Sequence, residues 1–349
     1  MVGINDNTVS VIIPSFNSEN TVARCLQSVS AQSFSNLEII FVDDCSSDGS
    51  LDVASELAVV DHRIKIIRHD SQKGVSSARN TGLDESLGRL VIFLDSDDYL
   101  QPWYLREMVE SLEDFDLVAS AFALEQSGIA PQVRNHGMRC EQSLNQASIS
   151  SYLDDYFLQP YVYTLFVHCW NKLFLRDKLN KNRVRFDEGL SQLEDVHFVA
   201  QYLRYADSVR YIESPGYIQT RNSEGGNLSV FSGMGGRQAV ADCLCALRVI
   251  GEVKSEIDGI GKHYLTVSYS HFISSMTMLF CLRMARQFRR CPSLSTLVSI
   301  YAWISSRRLR DHFYAYKRVA GESHVLRFSL KYLPPSFFVP ILILASTGR

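Results

Sequence analysis

The sequence lacks both common glycine-rich phosphate cradles. No Gly-x-x-x-x-Gly-Lys-Ser/Thr run occurs, and the first apolar run, Val11-Ile12-Ile13, leads into Pro14-Ser15-Phe16-Asn17 rather than Gly-x-Gly-x-x-Gly. A nucleotide, if bound, would have to be held by side chains and by a metal bridging its phosphates. No run of about twenty strongly apolar residues is present, so no membrane span is expected, although 264–282, free of formal charge, stays open as one. The N-terminus has no basic stretch followed by an apolar core, so no secretory signal is expected. A formal net charge of -3 gives no reason to expect a nucleic-acid partner. The eight cysteines form no framework. Only Cys243 and Cys245 are close, at a spacing that fits neither a redox pair nor a zinc knuckle, so reduced thiols in a cytosolic setting are expected.

What is present centres on Leu90-Val91-Ile92-Phe93-Leu94-Asp95-Ser96-Asp97-Asp98-Tyr99-Leu100. Five apolar residues predict a strand buried on both faces. Bare carboxylates cannot stay inside such a strand, so the three acids belong at its carboxyl end, where open α/β sheets bind ligands. Asp95 and Asp97, two apart, share a side if the extended geometry persists. Such oxygen donors suit a hard divalent cation that also holds a diphosphate. The competing expectation is a solvated turn in which Asp98 caps the next helix.

The first third alternates. Strands are expected at Val9–Ile13, Leu37–Val42, Ile64–Ile67 and Leu90–Leu94. Between them come three helices. The first is capped by Ser18 or Asn20 and buries Val22, Cys25, Leu26 and Val29. The second begins near Leu51. The third runs from Gly74 to Leu87 with Val75, Ala78 and Leu83 on one side. This alternation predicts a mostly parallel sheet covered on both faces. Right-handed crossovers then bring Pro14–Glu19, Asp43–Ser47 and Asp95–Asp98 to one rim. At 349 residues the chain is long enough for two domains.

Val9–Asn17, Gln32-Ser33-Phe34, Val42–Ser50, Lys73–Gly82 and Phe93–Asp98, in this order and spacing, resemble the family-two glycosyltransferases, inverting enzymes of the GT-A fold. The resemblance is strong over residues 8–125 and weaker to about 230, and it departs at Cys45, where the family usually has a small residue. It implies an α/β, Rossmann-like, mixed but mostly parallel sheet. It implies that Asp44 accepts from a uracil N3–H and that Pro14, Asn17 and Glu19 line the base and ribose pocket. Lys73, Gly74, Arg79 and Ser96 would lie beside the donor, and Asp95 and Asp97 would form a DxD motif holding Mn²⁺ or Mg²⁺, with Asp97 the more direct ligand. Arg79 could equally make a helix-surface ion pair, and Glu19 could simply favour a first helical turn.

Leu124–Gln146 is polar and irregular and is expected to be a mobile or variable connection. The aromatics from Tyr152 to Phe166 fit a core or a sugar-stacking surface. Trp170-Asn171-Lys172-Leu173 resembles a segment of bacterial members of the family. In Phe186–Phe198, Ser191 stands three before Glu194 as in a capping box. The acids Glu194 and Asp195 then fall in a first helical turn, where negative charge is favoured. The resemblance makes Asp195 the base that takes the acceptor's proton and Glu194 its alternative or neighbour. His197 is expected to be an exposed helix residue. Arg221, followed by Asn222-Ser223 and several glycines, resembles a loop closing on the donor diphosphate.

From Gly236 the pattern is helical, and Arg283, Arg286, Arg289, Arg290, Arg307, Arg308 and Arg310 flank apolar stretches. Such clusters suit anionic lipid headgroups. A helical core extension or a dimer contact would account for them as well. The expected organisation is a nucleotide-sugar part (1–125), an acceptor and base part (126–230) and a helical C-terminal region at the membrane (231–349). The whole implies a transferase moving sugar from a nucleotide-sugar donor, most simply a UDP-sugar, to a polyprenyl-diphosphate-linked or other glycan. The setting would be O-antigen or capsule synthesis at the cytoplasmic side of a bacterial inner membrane, or the cytoplasm. Alternatives are a non-catalytic nucleotide-sugar-binding module and an aspartate-nucleophile phosphatase, which also carries Asp-x-Asp after a buried strand.

Overall fold

The computed structural model describes residues 7–159, 162–190, 192–221 and 236–259; within 236–247 it describes side chains only for Cys245. In chain order the elements are β1 (Val9–Ser15), α1 (Val22–Ser30), β2 (Leu37–Asp43), α2 (Ser50–Val60), β3 (Ile64–Arg68), α3 (Val75–Asp84), β4 (Leu90–Phe93), β5 (Tyr99–Leu100) and α4 (Tyr104–Glu110). There follow β6 (Leu117–Gln126), β7 (Ile129–Arg134), β8 (Gln142–Asn145), α5 (Gln146–Leu158), β9 (Lys172–Leu175), α6 (Arg176–Lys181), α7 (Glu194–Leu203), β10 (Ser208–Arg221) and α8 (Gly236–Ile257).

The strands form one sheet in the order β3-β2-β1-β4-β9-β6-β10-β5, with β7 beside β6 and β8 beside β10. The first four strands are parallel, as their alternation with helices requires. β1 and β4 are buried along their whole length, which explains their unbroken apolar runs. Pro14 lies inside β1 rather than ending it. It sits beyond the last β1–β4 pair, Ile12 with Phe93, so its missing N–H interrupts no bond to β4.

α1 buries Val22, Cys25, Leu26 and Val29, as its spacing predicts. Its start differs from expectation. Neither Ser18 nor Asn20 caps with a side chain; the Ser18 carbonyl accepts from the Thr21 and Val22 amides instead. α3 is shorter than Gly74–Leu87, and Val75 is exposed on it while Ala78 and Leu83 are buried. Gly82 is where α3 presses on β1: an added Cβ would stand 2.3 Å from Ile12 Cγ2.

The second half of the sheet is mixed. β9 is antiparallel to both β4 and β6, whereas β10 runs parallel to β6. The expected irregular connection at 124–146 is corrected: it contains the end of β6, then β7 and β8. All six residues of β7 are exposed, so this edge strand has no apolar face to give it away. Along β10 the pairing with β6 jumps from Ile212–Ser120 to Tyr217–Phe122, so extra residues bulge out at 213–216.

The chain divides into two compact units, Met1–Ser150 with Val162–Asn227, and Ser151–Tyr161 with Leu228–Arg349. In the second, Lys254 is buried and ion-paired with Asp154 and Asp258. Among the described residues no helix is long and apolar enough to cross a membrane. The stretch 264–282, the arginine clusters, the glycines at 225, 226, 233 and 235, and Ser191 lie outside the described residues.

Candidate active site

Three loops at the carboxyl ends of β1, β2 and β4 are sewn together. The Asn17 amide donates to Ser46 Oγ (3.0 Å), and Asn17 Oδ1 accepts from the Ser47 amide (2.9 Å). Asn17 makes both bonds from a left-handed backbone, φ 50°, a conformation asparagine tolerates better than most residues. The Ser18 amide donates to Ser50 Oγ (2.7 Å), and Glu19 accepts from the Gly49 amide (3.2 Å). Ser18 and Ser96 hydroxyls meet at 2.7 Å. Asn17, Glu19 and Ser96 thus brace the rim on which they were expected to meet a donor, and Pro14 enters it from β1.

Asp44 is buried, and its oxygens accept from His69 Nδ1 (2.8 Å) and from the amides of Lys73 (2.8 Å) and Gly74 (2.7 Å). Gly74 reaches this position at φ 94°, which favours glycine. The Lys73 side chain is exposed above the same loop. His69 was not foreseen; its other nitrogen meets Thr81 Oγ1 at 2.9 Å, tying the Asp44 loop to α3.

Asp95, Asp97 and Asp98 each offer an oxygen, all within 4.8 Å of one another. They differ in surroundings. Asp98 is 2% exposed and does not cap a helix: it accepts from Tyr217 Oη (2.7 Å) and the Thr220 amide (2.8 Å). Burial, then the charges of Asp95 and Asp97, push its carboxyl up. Asp97 faces outward; desolvation on its inner side and the Asp95 carboxylate push it up to about 6. A cluster of hard oxygens that repel one another fits a divalent cation, which would reverse both shifts. Its turn is held from β10, where the Thr220 hydroxyl donates to the Asp97 carbonyl, and from α1, where Arg24 donates to the same carbonyl (2.8 Å). Arg221, next to Thr220, is exposed at the end of the strand.

Arg79, on α3, connects this cluster to the second acidic pair. Its Nη2 donates to Asp95 Oδ1 (2.9 Å), and its Nη1 donates to Asp195 Oδ1 (2.7 Å) and Glu194 Oε1 (3.3 Å). Its side chain is 4% exposed, so it is no surface ion pair. Asp195 Oδ2 accepts from the Cys169 amide at 3.3 Å. Glu194 and Asp195 occupy the first turn of α7, entered through Leu193 at φ 55°. Burial, then Asp195, push the Glu194 carboxyl up. Below them Phe186 stacks on Phe198 at 4.0 Å between centroids, under the Arg79 guanidinium.

Further residues complete the surroundings, with Trp170, Asn171 and Lys172 coming from the segment that the sequence had singled out. Tyr217 stacks on Trp170 (4.7 Å), and Trp170 on His168 (4.4 Å). Lys172 is fully buried, donates to Asn171 Oδ1 (3.0 Å), and is pulled down by burial to about 7. Of the aromatics left open, Tyr152, Tyr156, Phe157 and Phe166 are buried, so the core accounts for them. His197 is corrected: it is 8% exposed and bonds Gln201 on the next turn (2.9 Å).

Residues 10–182 match the family described as Glycosyl transferase family 2. A glycosyltransferase of Bacillus subtilis (strain 168), EpsH, is 31% identical over 212 residues, 60% of this chain and 59% of its own length. The chain thus spans about three fifths of that relative. The Escherichia coli UDP-Glc:alpha-D-GlcNAc-diphosphoundecaprenol beta-1,3-glucosyltransferase WfgD is 41% identical over 95 residues, 27% of this chain and 37% of its own. Among solved structures, S. aureus TarS 1–349 in complex with UDP-GlcNAc superposes with a TM-score of 0.67 at 18% identity, covering 97% of this chain and 90% of that one. At that identity the likeness shows the fold, which is GT-A-like.

Proposed function

Because residues 10–182 belong to glycosyl transferase family 2, we propose that the chain is an inverting glycosyltransferase that moves a sugar from a nucleoside diphosphate, most simply UDP, to a hydroxyl. One observation carries the proposal. The candidate metal turn and the candidate base are neighbours, since one guanidinium spans Asp95 and Asp195.

In the proposed reaction Asp195 accepts the proton of the acceptor hydroxyl. The acceptor oxygen bonds the anomeric carbon as the bond from that carbon to the diphosphate breaks, and the nucleotide leaves with the electron pair. Asp195 is held for this by Arg79 on one oxygen and the Cys169 amide on the other. Glu194 is its neighbour or alternate. Asp97, with Asp95, would hold Mn²⁺ or Mg²⁺, which when bound supplies Lewis-acid neutralisation of the diphosphate. Asp44, Pro14, Asn17 and Glu19 shape the nucleoside end; Lys73, Gly74, Ser96 and Arg221 border the diphosphate.

For the acceptor we propose a lipid-diphosphate-linked glycan in bacterial surface polysaccharide synthesis. The similarity to WfgD supports this, as do the arginine-flanked apolar stretches after residue 260, which suit peripheral contact with an anionic membrane. The division near residues 125 and 230 is part of the same proposal.

The test is UDP release from a panel of UDP-sugars with Mn²⁺ and a lipid-diphosphate sugar. Asp195→Asn is expected to lower kcat about a hundredfold or more. No UDP release from any donor, or full activity in that variant, would sink the proposal.

A further inference from the structure

Arg79 joins the two acidic groups, and its bonds suggest more than donor contact. Its two terminal nitrogens are spent on three carboxylates from two elements, Asp95 after β4 and Glu194 and Asp195 at the start of α7. Its Nε is buried with no partner among the described residues. Little of it therefore faces open space where a diphosphate would lie. Asp95 Oδ1 is claimed by Arg79, and Asp95 is also one of the three carboxylates that offer an oxygen within 4.8 Å of one another. One carboxylate cannot serve a guanidinium and a divalent cation both at full strength, and two positive charges drawn to the same group repel.

We propose that Arg79 is a positioning residue that holds the base at a fixed distance from the metal turn and competes with the cation for Asp95. This rests on the transferase proposal for its kinetic arm and on geometry alone for its binding arm. Before loading, Arg79 is the counter-charge that keeps Asp95 and Asp195 from repelling each other out of place. When a cation takes a share of Asp95, the hold of Arg79 moves towards Asp195, so loading of the donor side fixes the base.

The proposal makes an unusual demand: removing Arg79 should strengthen cation binding while weakening turnover. The experiment titrates the full chain with Mn²⁺, without donor, by calorimetry or by electron paramagnetic resonance, for the parent, Arg79→Met and Arg79→Lys. Arg79→Met is expected to bind Mn²⁺ about tenfold more tightly or better, because a positive charge beside the site is gone. Its kcat is expected to fall about a hundredfold, as for a misplaced catalytic group, with the donor KM nearly unchanged. Arg79→Lys keeps the charge but cannot bridge two carboxylates. It should bind Mn²⁺ like the parent and still lose kcat. If Arg79→Met does not fold, the lysine variant alone decides. Unchanged or weaker Mn²⁺ binding in Arg79→Met, full kcat in Arg79→Lys, or a donor KM that rises while kcat holds would overturn the proposal. If the parent turns over no donor, the transferase proposal fails, but the Mn²⁺ titration still reads the competition.

Discussion

Gly82→Ala is a sharp test of how the fold sets the site. On helix propensity alone the change should stabilise α3 by about 1 kcal/mol. The packing says otherwise. The new methyl would lie 2.3 Å from Ile12 Cγ2 and 3.4 Å from its Cβ and Cγ1, whereas ordinary contact begins near 3.4 Å. Ile12 cannot swing away: it is β-branched, fully buried, and in β1 between β2 and β4. The helix must therefore retreat by about 1 Å. Overpacking of this kind costs about 1–3 kcal/mol, and the stiffness of Ile12 argues for the upper end. The net expectation is a loss of about 1–2 kcal/mol, read as a lower urea midpoint at an unchanged slope. A second effect follows from the chain. Arg79 is one turn before Gly82, and its bonds to Asp95 and Asp195 are 2.9 and 2.7 Å. A retreat of about 1 Å stretches both, and a misplacement of that size can cost about a hundredfold in kcat. Ile12→Ala in the same chain removes the clash, so the double variant should be more stable than the sum of the two losses predicts. A Gly82→Ala protein as stable as the parent, with its kcat intact, would refute the claim that this contact fixes Arg79.

Two further outcomes follow from buried groups. Tyr217→Phe removes the hydroxyl that donates to Asp98 and accepts from the Asp95 amide. A loss of about 2 kcal/mol is expected for a bond to a buried carboxylate, with a calorimetric Tm lower by about 4–8 °C, and an unchanged Tm would show that water replaces the bond. Lys172 has its folded pKa drawn down to about 7 from 10.5 by burial. Between those values the unfolded chain binds more protons, so this residue makes stability rise with pH across that window and penalises the folded state fully below it. Lys172→Met should therefore be more stable than the parent near pH 6, with the gain shrinking towards pH 10. A gain that does not vary with pH would point to packing instead.

The parallel half of the fold was legible because both of its signals are local. β1, β2 and β4 are apolar runs of strand length, and α1 carries a clean buried stripe. The mixed half was not, since β7 is exposed at every position and β8 is four residues long, so neither alternates. The site residues were legible as types at spacings that resemble a family. Their partners were not. Arg79 was nameable, but that it faces Asp95, 16 residues on, and Asp195, 116 residues on, is decided by the packing of α3 against β1 and of α7 against β4. Tyr217 and Thr220 hold Asp98 from the far end of β10, and nothing near Asp98 announces them. His197 reads as a polar helix residue, yet the face it occupies is covered.

The looped-out residues of β10 give the strand a slack joint. Upstream, Ser208–Ile212 are locked to β8 and β6; downstream, Tyr217–Arg221 are locked to β6, with Tyr217 and Ile218 also paired to β5. Between them Glu213, Ser214 and Pro215 answer to neither ladder. One residue added or lost there would leave Tyr217 and Thr220 still pointing at Asp98. The same change two positions after Tyr217 would turn Thr220 to the opposite side of the sheet. Drift in length among kindred sequences should therefore collect in that joint and be purged just beyond it.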